Sequence, residues 1–335
     1  MSIKVLRPGL LSSIQDLGRY GYQKHGVIVS GAMDAFSLRI GNLLVGNMEN
    51  QAGLEITLVG PQLLIKDDLL IAITGGNLTP MIDGVDVPMW RPVYVKGGSV
   101  LSFGPCQSGC RAYLTVGGGY ELPSIMNSDS TYLRAGIGGF CGRALQKDDQ
   151  LAVGTPGRNT SKRMSLLASK AIKQSFVAPN WYAGLYGHSD AATPATVRIT
   201  RGIQYDWFTA ESLLQFTSQP FQVTPQSDRM GYRLKGEALK LRQPSEMISE
   251  AVALGTIQVP PDGNPIILMA DRQTVGGYPK VAQVISVDVP RIAQVKPGGK
   301  IQFIEIEHRE AEALYFAREK FIAEVKKGLN LKFFS

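Results

Sequence analysis

Residues 255–290, GTIQVPPDGNPIILMADRQTVGGYPKVAQVISVDVP, decide how the rest of the chain is read. The turn signal Pro261-Asp262-Gly263-Asn264-Pro265 precedes the apolar run Ile266-Ile267-Leu268-Met269-Ala270. A short unbroken apolar run bounded by Gly and Pro is the pattern of a buried strand. Asp271-Arg272-Gln273-Thr274 follow abruptly, then Gly276-Gly277-Tyr278-Pro279. Charged and amide side chains at the end of a buried strand, beside a flexible loop, can converge on a polar ligand. A structural Asp/Arg pair closing the loop is the alternative.

The same grammar recurs along the chain. Short β-rich runs at 54–59, 69–74, 100–103, 111–116 and 197–200 lie between Gly and Pro turns, which predicts a mainly β protein. KGGSVLSF (96–103) echoes KPGGKIQF (296–303), and VLRPGLLSSIQD (5–16) loosely resembles ITRGIQYD (199–206). Two related β domains would explain both echoes, as would chance reuse of common turn chemistry. The intervening residues 155–193 are rich in Ser, Gly, Ala and Lys, with Trp181, Tyr182 and Tyr186 and a helical candidate over 162–173, and the domain junction is placed there. Residues 34–45 have roughly helical spacing with Asp34 as the capping acid. Residues 309–327 set Leu314, Phe321, Ile322 and Val325 opposite mixed charges, predicting an amphipathic C-terminal helix that Gly328 stops. Its mixed charge favours packing on its own domain or a partner over membrane binding.

With 335 residues and 44% apolar content, the chain can build two cores. No apolar run approaches the roughly 18 residues of a membrane span, and the opening MSIKVLRPG lacks the apolar centre of a secretion signal. A cytoplasmic location is therefore expected. The formal charge of +7 is scattered and lacks a recognition motif, so nucleic acid is not expected as a partner. Cys106, Cys110 and Cys141 read as reduced thiols, and with only His25, His188 and His308 in the chain no zinc spacing is completed. A Cys nucleophile meeting His25 or His188 in space has no local support. No metal site is expected.

The common nucleotide and hydrolase signatures are absent. Residues 104–109 outline a phosphate loop, but Cys110 and Arg111 stand where Lys and Ser or Thr are needed. Gly136, Gly138, Gly139 and Gly142 have the wrong spacing for a dinucleotide fingerprint and read as tight turning. Three loops do carry chemistry-bearing groups. One holds Gln15, Asp16 and Arg19; another holds Asp228 and Arg229; the third holds Gln258, Asp262, Asp271, Arg272, Gln273 and Tyr278. Guanidinium, amide and carboxylate beside glycine can grip a carboxylate or amide by paired hydrogen bonds; each Asp/Arg neighbour pair alone reads first as a loop salt bridge, and three such loops in one chain shift the reading towards a site.

IQDLGRYGY (14–22), SDSTYLRAGIGGFCGRAL (128–145), SDRMGYRLKG (227–236) and residues 255–290 resemble, in order and over nearly the whole chain, the family of 5-oxoprolinase C subunits. That family is also called the KipI antagonist or allophanate hydrolase subunit 2 family and is related to the carboxyltransferase part of urea carboxylase. Asp129 departs from the Arg of many relatives, and Asp148-Asp149 from the more usual Gly-Asp. The resemblance implies two cyclophilin-like β-barrel domains, at 1–160 and 196–308, a connecting segment at 161–195, and a helix and tail at 309–335. It implies a heteromeric complex with two partners, one KipI-like and one LamB/YcsF-like, which opens 5-oxoproline to L-glutamate with hydrolysis of ATP. ATP, with its Mg, is a co-substrate that one of those partners can carry.

On that basis Asp271, Arg272 and Gln273 are expected to orient the lactam, with Gln258 and Tyr278 nearby. Gln15, Asp16 and Arg19 are expected to complete the pocket, and Asp228 and Arg229 to form a third wall. Replacing Asp271 or Arg272 by Ala is expected to abolish activity and leave the chain folded. The chief alternative is a regulatory role, counteracting the KipI-like inhibitor of the sporulation histidine kinase by sequestering it. A third reading, biotin-dependent carboxyl transfer, needs a separate biotin carrier because the chain has no Met-Lys-Met attachment signal.

Overall fold

The computed structural model describes residues 1–171, 173–183, 194–244 and 247–334; Tyr186 and His188 lie outside them. The chain divides into two compact units, one of Met1–Arg19, Ser30–Gly187 and Lys320–Ser335, the other of Tyr20–Val29 and His188–Glu319. The architecture is mainly β, as the turn-punctuated sequence predicts.

The first unit carries two six-stranded sheets. One runs in the order Gln150–Ala152, Ser2–Arg7, Gln62–Ile65, Val100–Phe103, Pro80–Ile82, Val85–Asp86. The other runs Phe176–Val177, Val93–Val95, Leu69–Asn77, Ser108–Val116, Gly53–Thr57, Leu11–Gln15. Side chains alternate between the faces of a strand, and Leu69–Asn77 uses both faces. Ile71 and Ile73 enter a core shared with Ile3, Leu63 and Leu101 of the opposite sheet. Leu70 and Ala72 face a second cluster with Phe36, Ile40 and Leu44. Burial on both faces is why that run reads as continuously apolar.

Helix α1 (Ala35–Val45) supplies the second cluster. Asp34 caps it as expected, accepting from the Ser37 backbone N at 2.9 Å and from Ser37 Oγ at 2.6 Å. Helix α2 spans Arg158–Ala168, starting four residues before the expected 162 and ending before 173. Its place is set by α1: Thr160 Oγ1 donates to the Val45 carbonyl at 2.8 Å, and Arg163 Nη1 donates to the carbonyls of Leu43 and, at 2.9 Å, Leu44. One helix thus satisfies the orphan carbonyls at the end of the other.

In the second unit seven strands close into a barrel in the order Ala195–Arg201, Lys280–Val284, Thr256–Gln258, Ile266–Leu268, Gly231–Lys235, Phe221–Val223, Lys300–Glu305. The first and last strands pair in parallel, Ala195 opposite Ile301, and the other pairs are antiparallel. Helix α3 (Ala210–Ser218) brings Phe216 onto Phe303, with centroids 4.8 Å apart, and onto Phe221 at 5.9 Å. Helix α4 is the short Val289–Ala293. The run 266–270 is a strand over Ile266–Leu268 followed by buried Met269 and Ala270. A two-stranded ribbon, Glu250–Ala251 with Val275–Gly276, stands apart from the barrel ladder.

The echoed sequences have matching geometry. Gly98 and Gly298 both take positive φ, +90° and +86°, in turns closed by bonds to the carbonyls of Lys96 and Lys296. The backbone N of each also donates to a neighbouring segment, Gly98 to Ile65 and Gly298 to Val223, before the chain enters a strand.

Helix α5 runs His308–Phe334, through the expected stop at Gly328. Helix propensity yields to packing here. Ile322, Leu329 and Phe333, at helical spacing, are buried with Phe36, Leu44 and Trp90, so apolar residues beyond the glycine anchor the helix past it.

Candidate functional site

In the barrel unit the second and third chemistry-bearing loops meet. Arg229 lies just before strand Gly231–Lys235 and Asp271 just after Ile266–Leu268; these strands are paired, Gly231 opposite Leu268. The Asp271 backbone N donates to the Arg229 carbonyl at 2.8 Å, which locks the two loop starts together. Arg229 Nε and Nη2 each donate at 3.0 Å to the two Asp271 carboxylate oxygens, a bidentate pair buried at 5% and 4% exposure. Asp228 closes the turn, its Oδ1 accepting from the backbone N of Met230 at 2.8 Å and of Gly231 at 3.2 Å.

Arg272 points back toward its own strand end, with Nη1 3.5 Å from the Met269 carbonyl and a buried Nε that has no partner within the chain. Burial pushes its guanidinium below the ordinary arginine value, and Tyr20 acts in the opposite sense. Gln273 is half-buried and Tyr278 exposed. Gln258, 1% exposed, has an Nε2 with no acceptor. Asp262 lies in the preceding turn, accepting from the Asn264 backbone N at 3.1 Å. The loop ends at Lys280, a buried lysine whose Nζ donates to Glu250.

In the first unit, Gln15, Asp16 and Arg19 sit where strand Leu11–Gln15 ends, wrapped by residues 125–142. The Asp16 carboxylate accepts from the Gly18 N at 2.7 Å, Ser128 Oγ at 2.9 Å, Ser130 Oγ, and the Asp129 N at 2.7 Å. It organises the loop. Arg19, wholly buried, donates from Nε to the Ile125 carbonyl at 3.0 Å and from Nη2 to the Ser130 carbonyl at 2.9 Å. Gln15 donates to Ser13 Oγ at 3.1 Å and to the Thr131 carbonyl at 3.2 Å, while its buried Oε1 has no partner within the chain. Gly138 has φ +69°, and a side chain there would collide with the Ser130 carbonyl and Arg19. Close backbone packing therefore accounts for the glycine-rich stretch.

Asp129 is the carboxyl that stands out in this loop. Burial raises its pKa, a Ser124 hydrogen bond lowers it, and the neighbouring charges of Asp16 and Arg19 oppose one another. Behind the loop, Ala32 N donates to the Asp16 carbonyl at 2.8 Å, and the adjoining Met33 N donates to Glu55 Oε2 at 2.8 Å. Tyr113 donates to the same oxygen at 2.6 Å, and burial, then Glu55, drives its phenol pKa well up.

Ser128, Ser130, Glu55, Lys280 and Glu250 were missed by sequence reasoning. The serines lie inside the motif at 128–145 and flank Asp129, a signal that was available. Glu55 and Lys280 are single charges inside strand patterns, and a charge in an otherwise apolar run is the signature of a buried pair.

A nucleotide is not matched by residues 104–109: Ser108 opens strand Ser108–Val116, so no helix N-terminus receives a phosphate. Among the described residues no group of three or more His, Cys, Asp or Glu could hold a metal, and no helix is long and apolar enough to cross a membrane. Cys110 is buried, Cys106 half-buried and Cys141 exposed, and no disulfide joins them.

Fold and site together define a mainly β protein of two units with polar residues presented at strand ends, one unit a closed barrel. Residues 25–305 match the carboxyltransferase domain, subdomain A and B, and the chain belongs to that family. The 5-oxoprolinase C subunit of Haemophilus influenzae is 37% identical over 321 residues, 96% of this chain and 96% of that protein. Its counterpart from Escherichia coli is 38% identical over 92% of this chain and 93% of its own length. The resemblance carried by the motifs is thereby borne out. The crystal structure of Kluyveromyces lactis urea carboxylase superposes with a TM-score of 0.86 at 31% identity, covering 98% of this chain and 29% of that one.

Proposed function

We propose that this chain is the C subunit of a heteromeric ATP-dependent 5-oxoprolinase, which opens 5-oxo-L-proline to L-glutamate. The observation carrying this reading is the near end-to-end match to relatives named for that subunit, over 96% and 93% of their lengths. The urea amidolyase of Saccharomyces cerevisiae, by contrast, is matched over 17% of its length.

A lactam is an unreactive amide, so its opening must be coupled to activation of the carbonyl oxygen. ATP, the co-substrate, supplies that activation, and residues 104–109 lead into a strand rather than a phosphate-binding helix N-terminus. We assign the nucleotide and its Mg to a partner, of the KipI-like or LamB/YcsF-like kind. This chain's share is binding and orientation. The buried Arg229–Asp271 pair fixes the start of loop 271–280. Arg272 and Gln273 then present donors to the lactam oxygen, where charge develops as the ring opens. Preorganised donors of this kind gain most where water is excluded. In the first unit, Gln15 and Arg19 hold the loop that wraps the end of strand Leu11–Gln15.

The test is 5-oxoproline-dependent ATP hydrolysis and glutamate release with the three components combined and each omitted in turn. Activity must vanish when this chain is left out. Unchanged activity, with tight binding to the KipI-like protein, would leave the regulatory role in its place. A carboxyltransferase reading is favoured by the family match and by the urea carboxylase structure. It requires a separate biotin carrier, and biotin-dependent turnover would establish it.

A further inference from the structure

The group of residues that the orientation of the lactam does not use lies at the far end of the same loop. Gln258 and Lys280 are cross-strand partners at the end of the antiparallel pair of Thr256–Gln258 with Lys280–Val284, where the register shifts between Ile257 and Gln258 as at a bulge, the kind of irregularity that re-aims side chains. Lys280 has a side chain 8% exposed, and the ion pair it makes is with Glu250, whose side chain is 49% exposed. Glu250 sits on the two-residue ribbon opposite Gly276. A side chain at Gly276 would collide with the Gln258 amide nitrogen, so that amide lies directly beneath the ribbon.

This arrangement is asymmetric. The cation is fixed in the barrel wall and cannot be left unpaired, because a buried lone ammonium is costly. The anion is half in water on a minimal ribbon and costs little to release. Beside it the Gln258 Nε2 is a buried donor with no acceptor, an arrangement normally avoided. One carboxylate offers two acceptor oxygens, one for the ammonium and one for the amide. From this we propose that Lys280 and Gln258 form a carboxylate-binding subsite that the Glu250 side chain fills, and that the carboxylate of the substrate displaces Glu250. The inference rests on the 5-oxoprolinase reading for the identity of that substrate: loop 271–280 would hold the lactam at its start and the ring carboxylate at its end.

The experiment compares 5-oxoproline with 2-pyrrolidone, the same lactam without the carboxylate, as ligands of the assembled complex. Lys280→Met should raise KM for 5-oxoproline at least about tenfold with little change in kcat, since a charge-assisted hydrogen bond is lost from ground and transition states alike. Glu250→Gln, which keeps the ribbon's shape, should lower that KM, and neither change should alter 2-pyrrolidone binding. The proposal is overturned if Glu250→Gln weakens or leaves unchanged 5-oxoproline binding, which would make the ion pair only a latch for the ribbon. It is equally overturned if Lys280→Met weakens both ligands alike. The subsite is read independently of turnover by titrating the full chain with acetate and following the Gln258 side-chain amide by NMR, the signal assigned by its loss in Gln258→Leu. It should shift saturably in Glu250→Gln and stay still in Lys280→Met. No shift sinks the subsite, whereas a shift in a complex that does not turn over 5-oxoproline sinks the oxoprolinase reading alone.

Discussion

At the scale of single residues, two carboxyls behave in opposite ways. Asp271 is held by both nitrogens of a buried arginine, and removing one partner of such a pair strands the other charge. Asp271→Ala should therefore destabilise the chain by about 3–5 kcal/mol in urea denaturation, which makes it a poor probe of activity. The expectation that this variant stays folded is replaced by one that Gln273→Ala does, with loss of coupled turnover. Asp129 is pushed the other way, its folded pKa raised mainly by burial. The folded chain holds that proton more tightly than the unfolded chain, so the stabilisation is present below the ordinary carboxylate pKa and is lost as pH rises through the folded value. Asp129→Asn should melt higher than the wild type at neutral pH, with the gap closing under acid conditions. A gap independent of pH would refute this account. Asp148 has φ +72°, a left-handed conformation that glycine adopts at least cost.

At the scale of elements, packing rather than propensity decides the helix ends. Arg163 reaches from α2 to the last carbonyls of α1 and lies over the Phe333 ring of α5, 5.2 Å from its centroid. Burial lowers its pKa to about 10. Arg163→Met should cost about 1–3 kcal/mol by taking the arginine donor from the Leu44 carbonyl, the Leu43 carbonyl keeping the Gly46 backbone N, and calorimetry should show it as a lower melting temperature. The strands were legible because alternating and continuous apolar runs between Gly and Pro turns leave few alternatives. The stop of α5 was not, because Leu329 and Phe333 gain their value from Phe36 and Trp90, which lie far back in the first half of the chain. Site legibility divides on the same line. Asp/Arg neighbours were visible, but the bidentate bond joins Arg229 to Asp271, 42 residues on, rather than to Asp228 beside it. Adjacency marks a polar loop and does not say which charges meet.

At the scale of the molecule, the same turn-into-strand geometry recurs at Gly98 and Gly298, and it fits two related β units and reuse of common turn chemistry alike, since the first unit arranges its strands in two sheets and the second in a closed barrel. A chain lacking only residues 300–305, with α5 kept, tests how far the barrel depends on its last strand. That strand, Lys300–Glu305, pairs with both Ala195–Arg201 and Phe221–Val223. Such a chain should lose cooperative unfolding of this unit, seen as a missing transition in denaturant, and should aggregate through the two open edges. A full-length-like transition would show that the other six strands suffice. The parallel pairing of first with last strand also fixes a timetable for synthesis. On the ribosome, the strand at 195–201 emerges about a hundred residues before its partner and must wait, exposed, for the final strand to follow. The barrel half is thus the part of this protein whose yield should respond most to translation speed and chaperone supply.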